Sequence, residues 1–284
     1  MHVNHRTRPG ENDLDEAAVR RLAHQLQMPL TISRLRHSAQ PRTENDLRLL
    51  RWAKFVAVAR RYRCNCIITA HHADDQAETF IMRLLRGSGV RGLGAIRPVR
   101  HHGELKVVRP LLHIPKAQLL NYLIQNDLPW REDPTNASTH HLRNHVRHRI
   151  LPELAGCQPQ IVCNLVNTAA QMRGVQRLID HQVKALSGRL GMHDLQKPPL
   201  SLQRSVLRQS DALTAMELLR RWLIAWGTSP DRLSYRQMSE IHHLIMRRSS
   251  NLTVSLSDAA RIVIEREEVR LMHAIRRKPC EVRR

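Results

Sequence analysis

Two rhythms of apolar residues run through the first half of the chain. Residues 1–4 read as the tail of a strand and 30–33 as a strand; a third segment, Cys66-Ile67-Ile68-Thr69-Ala70, is a short apolar, β-branched run of the kind that forms a buried parallel strand. Between and after them, 12–27, 43–61 and 75–86 place apolar residues three and four apart, the period of a helix with one buried face. This βαβαβα order predicts an α/β fold, a Rossmann-like, mostly parallel sheet with helices on both faces. Residues 96–111 read as two strands joined by a turn at His102-Gly103, and 115–126 as a helix opened by Pro115. The polar stretch Asp133-Pro134-Thr135-Asn136 then precedes a basic helix around 142–149.

Pro and Gly interrupt the pattern over 152–159, which sets a boundary between a first domain, 1–155, and a second, 156–284. The second domain should be mainly helical. It carries one long helix at 161–190 with Gly174 as a candidate break, and further helices at 214–226 and 235–247. Short strands at 252–256, 260–265 and 269–272 add a small β element. Trp222 and Trp226, one helical turn apart, are expected in its core, and Trp130 is expected to pack rather than to stack on a base.

Composition changes the picture in two ways. At 284 residues and 42% hydrophobic the chain can build two ordinary cores, and with 3% aromatics these must be filled by Leu, Ile, Val, Ala and Met. The formal net charge of +21 exceeds what solubility needs and attracts polyanions, nucleic acid first among them, although 18 histidines beside many arginines show a general basic drift. Cys64, Cys66, Cys157, Cys163 and Cys280 are odd in number and lack framework spacing, which fits a reduced, cytoplasmic protein. Cys64-x-Cys66 has no second pair, so no metal is assigned to cysteine. Neither a secretory signal nor an apolar span of about twenty residues is present, and no membrane association is expected.

The chemistry concentrates in His71-His72-Ala73-Asp74-Asp75-Gln76-Ala77-Glu78-Thr79, at the carboxyl end of the third strand, where open α/β sheets bind ligands. Asp74 and Glu78 are four apart and Asp75 and Glu78 three apart, so their carboxylates can converge on one helical turn. A cation or an amine is the natural guest; the alternative is that an aspartate merely caps the helix. Arg86-Gly87-Ser88-Gly89 follows as a basic glycine turn able to offer N–H groups to phosphates, or simply to end the helix at Gly87. The basic run from Arg143 to Arg149 is either a nucleic-acid contact or a solvated helix face.

Four blocks, in order, resemble the tRNA(Ile)-lysidine synthetase family. They are His2 to Arg6 with Arg8-Pro9-Gly10; Ala70 to Thr79 with Met82 to Gly89; Arg109-Pro110-Leu111-Leu112; and Pro129 to Asn136 with Arg143-Asn144-His145-Val146-Arg147. The resemblance implies an N-type ATP pyrophosphatase-like first domain and an ATP-dependent C–N ligase. ATP adenylates C2 of the wobble cytidine of tRNA(Ile), and the side-chain amine of lysine then displaces AMP. It implies catalytic, lysine-binding roles for Asp75 and Glu78, substrate contacts by His71, His72, Arg83 and Arg86, and ATP-phosphate contacts by Gly87, Ser88 and Gly89. It further implies tRNA contacts by Arg143, Asn144 and Arg147, a second domain that binds tRNA, ATP with Mg²⁺ as cofactors, and tRNA(Ile) and free lysine as partners.

The family's Ser-Gly-Gly-x-Asp-Ser phosphate loop does not occur in this sequence, which starts at the family's second strand. The chain alone is therefore expected to be inactive. A start recorded too late, a separate N-terminal polypeptide carrying the loop, and a decayed gene are the three explanations. A noncatalytic tRNA-binding remnant, a tRNA thiolase and a homodimeric state stay open.

Overall fold

The computed structural model describes residues 1–4, 10–35, 44–131, 142–192, 198–230, 233–249, 251–257 and 260–272. They form two compact units, Met1–Thr79 with Ile96–Val166 and Phe80–Ala95 with Asn167–Arg284. Two of the three breaks, 79/80 and 166/167, fall within helices and the third, 95/96, between elements, whereas the sequence pattern suggested 155/156.

In the first unit β1 (His2–Asn4) pairs in parallel with β2 (Ile32–Arg34), joined by α1 (Glu11–Gln25). After α2 (Glu44–Arg61), β3 (Cys66–Ile68) pairs in parallel with β5 (Leu105–Val108), and β4 (Val99–His102) adds to β5 antiparallel. Gly103, at φ +57°, supplies the left-handed turn of this hairpin. The α/β pattern is as the sequence suggests, with two small sheets in place of one continuous sheet among the described residues.

Polar side chains fasten α1 to the first sheet. Glu16, on α1, is 3% exposed and accepts from Asn4 Nδ2 at 3.0 Å and from Arg34 Nη2 at 2.6 Å. Arg34, then Asn4, then Arg20 hold its carboxyl down at about 2, against the cost of its burial.

The basic helix predicted around 142–149 continues where a boundary had been expected. α6 (Leu142–His145) runs into a π-helical turn (Val146–Ile150) and then α7 (Leu151–Cys157). Pro152 does not break the run because the wide turn restarts the α register at Leu151, leaving Pro152 in the first turn, where an N–H is not needed. Gly174 likewise sits inside α8 (Ile161–Arg189), which is unbroken.

The second unit has the conventional core. The sequence pattern missed β6 (Ser201–Gln203), α9 (Arg204–Arg208) and α4 (Val90–Leu93) but located α10 (Ala212–Ala225) and α11 (Tyr235–Met246). Asp211 caps α10 by accepting the Thr214 N–H at 2.9 Å, and Ser234 caps α11 through the Gln237 N–H at 3.2 Å. β7 (Leu252–Ser257), β8 (Ala260–Ile264) and β9 (Glu268–Met272) form with β6 an antiparallel sheet ordered β6-β9-β8-β7. Leu218, Leu219, Trp222, Leu223, Ile241, Ile245, Ile262 and Ile264 fill its interior. Trp222 is fully buried as expected, and its Nε1 donates to Pro199 O at 2.7 Å. Among the described residues no helix is long and apolar enough to cross a membrane.

Candidate functional site

The site grows from the junction between β3 and α3 (Ala73–Leu85). The His72 N–H donates to Asp75 Oδ2 at 3.0 Å, so Asp75 closes the first turn from within, and both aspartates complement the helix dipole there. Asp74 reaches outward and accepts the Lys116 N–H at 2.7 Å, where α5 (Lys116–Gln125) begins. The Ala73 N–H donates to Ile114 O at 3.0 Å, so the two helix starts are tied together. Gln76, fully buried, accepts the Ile96 N–H at 2.7 Å and donates to Ile96 O at 3.1 Å. It satisfies a loop's backbone as a paired strand would.

The decisive geometry lies one turn further on. Arg143 donates from Nε to Glu78 Oε2 at 2.7 Å and from Nη2 to Asp75 Oδ1 at 2.7 Å. Arg147 donates from Nε to Glu78 Oε1 at 2.6 Å and from Nη2 to Oε2 at 3.2 Å, a two-point fork. Glu78 is 1% exposed, while the two guanidinium side chains keep 32% and 30% exposure. Two carboxylates on one turn are thus bridged by two cations from a segment more than sixty residues away. Hydrogen bonding to Glu78 holds the Arg147 guanidinium above its ordinary range, despite its partial burial. The π-helical turn carries Arg147, while a separate stripe of the same run, His145, Arg149, Ile150 and Glu153, lines an open depression of about 430 Å³.

The two histidines differ. Burial lowers His71, with Asp75 opposing and Arg109, Arg143 and Arg48 reinforcing the shift, so its ring stays neutral near pH 7. Its Nδ1 lies 2.9 Å from Thr69 Oγ1. His72 is raised, first by hydrogen bonding to Asp74, and its ring nitrogens lie 3.5 Å from Asp74 and from Asp75. Burial pushes Asp74 up, but His72 and the Lys116 N–H outweigh it and hold the carboxyl below its usual range.

The structure therefore brings Asp75, Glu78, His71, His72, Arg143 and Arg147 into one neighbourhood of the first unit. Asn144, on α6 between the two arginines in sequence, is half-buried. Arg83 belongs to the second unit, where its Nη1 donates to Gly92 O at 2.7 Å and Ala95 O at 3.0 Å. Arg86 is exposed. Gly87, at φ +67°, ends α3: its N–H donates to Leu84 O at 2.9 Å and the Ser88 N–H to Arg83 O at 3.0 Å. Those two N–H groups, which the sequence offers to phosphates, are thereby occupied by helix closure. Gly89 opens α4, its carbonyl accepting the Gly92 and Leu93 N–H groups.

The residues 132–141, with the Asp133-Pro134-Thr135-Asn136 block, lie outside those described. Trp130, expected to pack, is 46% exposed, since its neighbour Arg131 is drawn to Glu11 and Asp15 at 2.8 and 2.7 Å. Sequence reasoning missed Gln76 and the outward cap by Asp74. Neither carries a signal beyond its place in a helix's first turn.

Residues 1–154 match the PP-loop domain family. The chain belongs to that family. All of the neighbourhood just described lies within the matched stretch. This PP-loop chain is 36% identical over 180 residues to the tRNA(Ile)-lysidine synthase of Pseudomonas fluorescens (strain Pf0-1), covering 63% of the chain and 40% of the relative. It is 37% identical over 186 residues to that of Streptococcus equi subsp. equi (strain 4047), covering 65% and 41%. With that of Coxiella burnetii it shares 32% over 231 residues, covering 80% and 49%. The PP-loop chain thus spans between two-fifths and one-half of the length of these curated relatives. A U34-tRNA thiolase NcsA from Methanococcus maripaludis with its [4Fe-4S] cluster matches in structure at a TM-score of 0.49 and 20% identity, over 63% of this chain and 60% of that one.

Proposed function

We propose that this chain is part of a tRNA(Ile)-lysidine synthase and carries its lysine site, acting in the cytoplasm on the wobble cytidine of tRNA(Ile). The observation that carries the reading is the pairing of Asp75 and Glu78 with Arg143 and Arg147 inside a PP-loop stretch whose relatives bear that name.

A cytosine C2 oxygen is a poor leaving group. In the first step it attacks the α-phosphorus of ATP, and pyrophosphate leaves. In the second the lysine side-chain amine attacks C2, the C2–O bond breaks, AMP departs and the amine loses a proton. The α-ammonium of that lysine needs carboxylate acceptors, and Asp75 and Glu78 are already arranged as a two-carboxylate receptor for N–H donors. The guanidinium groups of Arg143 and Arg147 stand in for the ligand's donors, and an entering ammonium exchanges with one of them. A displaced guanidinium then faces phosphate oxygens, where its planar fork fits equally well. His71, held neutral, offers an acceptor next to the exchange.

Mg²⁺, which the family resemblance implies beside ATP, is given no ligand in this carboxylate set: the reading assigns Asp75 and Glu78 to the lysine ammonium and the guanidinium groups, and Asp74 accepts the Lys116 N–H and faces His72. No step above is assigned to it.

The reading is tested by lysine binding to the chain and its Asp75→Asn variant, measured calorimetrically with and without ATP. Loss of one charge-assisted contact, about 1.5–3 kcal/mol, should weaken lysine at least roughly tenfold while the fold is retained. Unchanged lysine affinity would reduce Asp75 to a helix cap.

A further inference from the structure

The Arg109-Pro110-Leu111-Leu112 block takes no part in the chemistry above, yet the sheet delivers its arginine to the same edge as the carboxylates. β3 and β5 are parallel with Ile68 opposite Val108, and the Thr69 N–H donates to Val108 O at 3.0 Å. Arg109 therefore leaves β5 where Thr69 leaves β3, at the carboxyl edge from which His71, Asp75 and Glu78 follow.

Two further cations share the face of Arg109. Its N–H donates to Pro98 O at 2.9 Å, which carries the antiparallel ladder of β4 and β5 one step past Val99 and Val108. Arg100 stands opposite Val107, so Arg100 and Arg109 are diagonal neighbours on one side of the hairpin. His102, two residues after Arg100, lies on that side too, and Trp52 of α2 meets it edge-on with the ring centroids 5.2 Å apart. Arg48 sits one turn before Trp52 on the same face of α2. Burial first, then Arg100 and Arg48, accordingly lower the Arg109 guanidinium below its ordinary range, and among the described residues no acid opposes them.

Arg109 is also incompletely bonded. Its Nη1 donates to Arg97 O at 2.7 Å, a neutral acceptor, while its Nε is buried and has no hydrogen-bond partner. A buried charged donor without an acceptor is costly, and neighbouring cations add to the cost; an oxyanion relieves both.

We propose that Arg109, flanked by Arg48 and Arg100, binds the phosphate of the AMP leaving group in the second step of the proposed reaction. The inference rests on that reading. When the lysine amine attacks C2 and the C2–O bond breaks, its electron pair stays on the oxygen, which departs as an oxygen of AMP, and the amine releases its proton. The phosphate thereby passes from a diester monoanion to a monoester dianion. The added charge appears on the phosphate, where preorganised cations favour the broken bond over the intact one. The unoccupied Nε of Arg109 and the exposed guanidinium groups of Arg48 and Arg100 supply the donors.

The test is calorimetric titration of the 284-residue chain with AMP, with pyrophosphate, lysine and tRNA(Ile) transcript as parallel titrants. Arg109→Gln should weaken AMP by about tenfold or more, the loss of one charge-assisted contact. Arg48→Gln and Arg100→Gln, at exposed positions, should each weaken AMP by about threefold, which keeps the site testable if Arg109→Gln fails to fold. Arg60→Gln, an exposed arginine at the other end of α2, should change AMP by less than about twofold. An equal loss from Arg60→Gln, or no detectable binding of AMP to the wild type, would overturn the proposal. So would losses confined to pyrophosphate, which would assign the cluster to the first leaving group, or confined to tRNA, which would make it a backbone contact. Lysine separates this inference from the reading beneath it. Normal lysine binding with AMP unaffected by Arg109→Gln overturns the phosphate site alone, whereas AMP binding that depends on Arg109 in a chain that does not bind lysine supports the phosphate site and overturns the lysine reading.

Discussion

The two units are held together by different physics. In the second, buried positions are large and apolar, with Trp222 and a ring of leucines and isoleucines between α10, α11 and the sheet. In the first, many of the most buried residues are small or polar: Ala59, Ala73 and Ala77 beside Asn4, Glu16, Gln76 and Glu78. Apolar burial is non-directional and tolerates imperfect geometry, whereas a buried carboxylate is favourable only while its partners stay in place. The unit with the less forgiving interior is the one that gathers the candidate chemistry. Its rigidity comes from the same charged groups that a ligand would have to engage.

This contrast can be broken most severely in the apolar unit. Trp222→Ala should cost about 3–5 kcal/mol, seen as loss of hydrogen-exchange protection in α10, α11 and β8 with α1 and β1 unaffected. Glu78→Gln in the polar unit should cost about 2 kcal/mol in denaturant unfolding. That is less than for a fully buried pair, because Arg143 and Arg147 remain about one-third exposed and solvent screens what they lose. The companion substitution of both arginines by Gln should recover part of that loss, a non-additivity that a double-mutant cycle reads directly.

Acid sharpens the comparison. Glu16 is held at about 2 against an ordinary 4.5, so its network contributes stability above about pH 4.5 that is lost as the pH falls towards 2. Protection of α1 and β1 amides should therefore decline over that interval before that of the second unit's core. The smallest effect expected is at a cap: Asp211→Ala should destabilise α10 by about 1 kcal/mol.

What the sequence makes legible follows the same division. Periodicity locates α2, α3, α10, α11 and the three C-terminal strands within a few residues, because each has a single face to bury. It places Asp75 and Glu78 on one turn for the same reason. It does not reveal that their partners are Arg143 and Arg147, since a pairing across more than sixty residues leaves no local pattern. Arg204 is the sharpest failure: read locally it is one more surface arginine, and only tertiary packing surrounds it with carbonyls. Gly87 is legible as the residue that ends α3, and the Schellman closure there agrees, whereas the start of α4 just after Gly89 leaves no such local signal.

The π-helical turn at Val146–Ile150 also makes chain length a variable in its own right. A π turn is an α-helix with one residue too many, and each residue of an α-helix accounts for about 100° of rotation. Val146 and Leu151, both buried, fix the azimuth on either side of it. Deleting His148, an exposed side chain, would remove that extra residue and return the run to a plain α register with Arg143 on the face it already holds relative to Leu151, whereas deleting a residue from the regular helix of α8 would turn everything beyond it by that angle. The wide turn thus absorbs a one-residue change in length that a regular helix would pass on as a rotation.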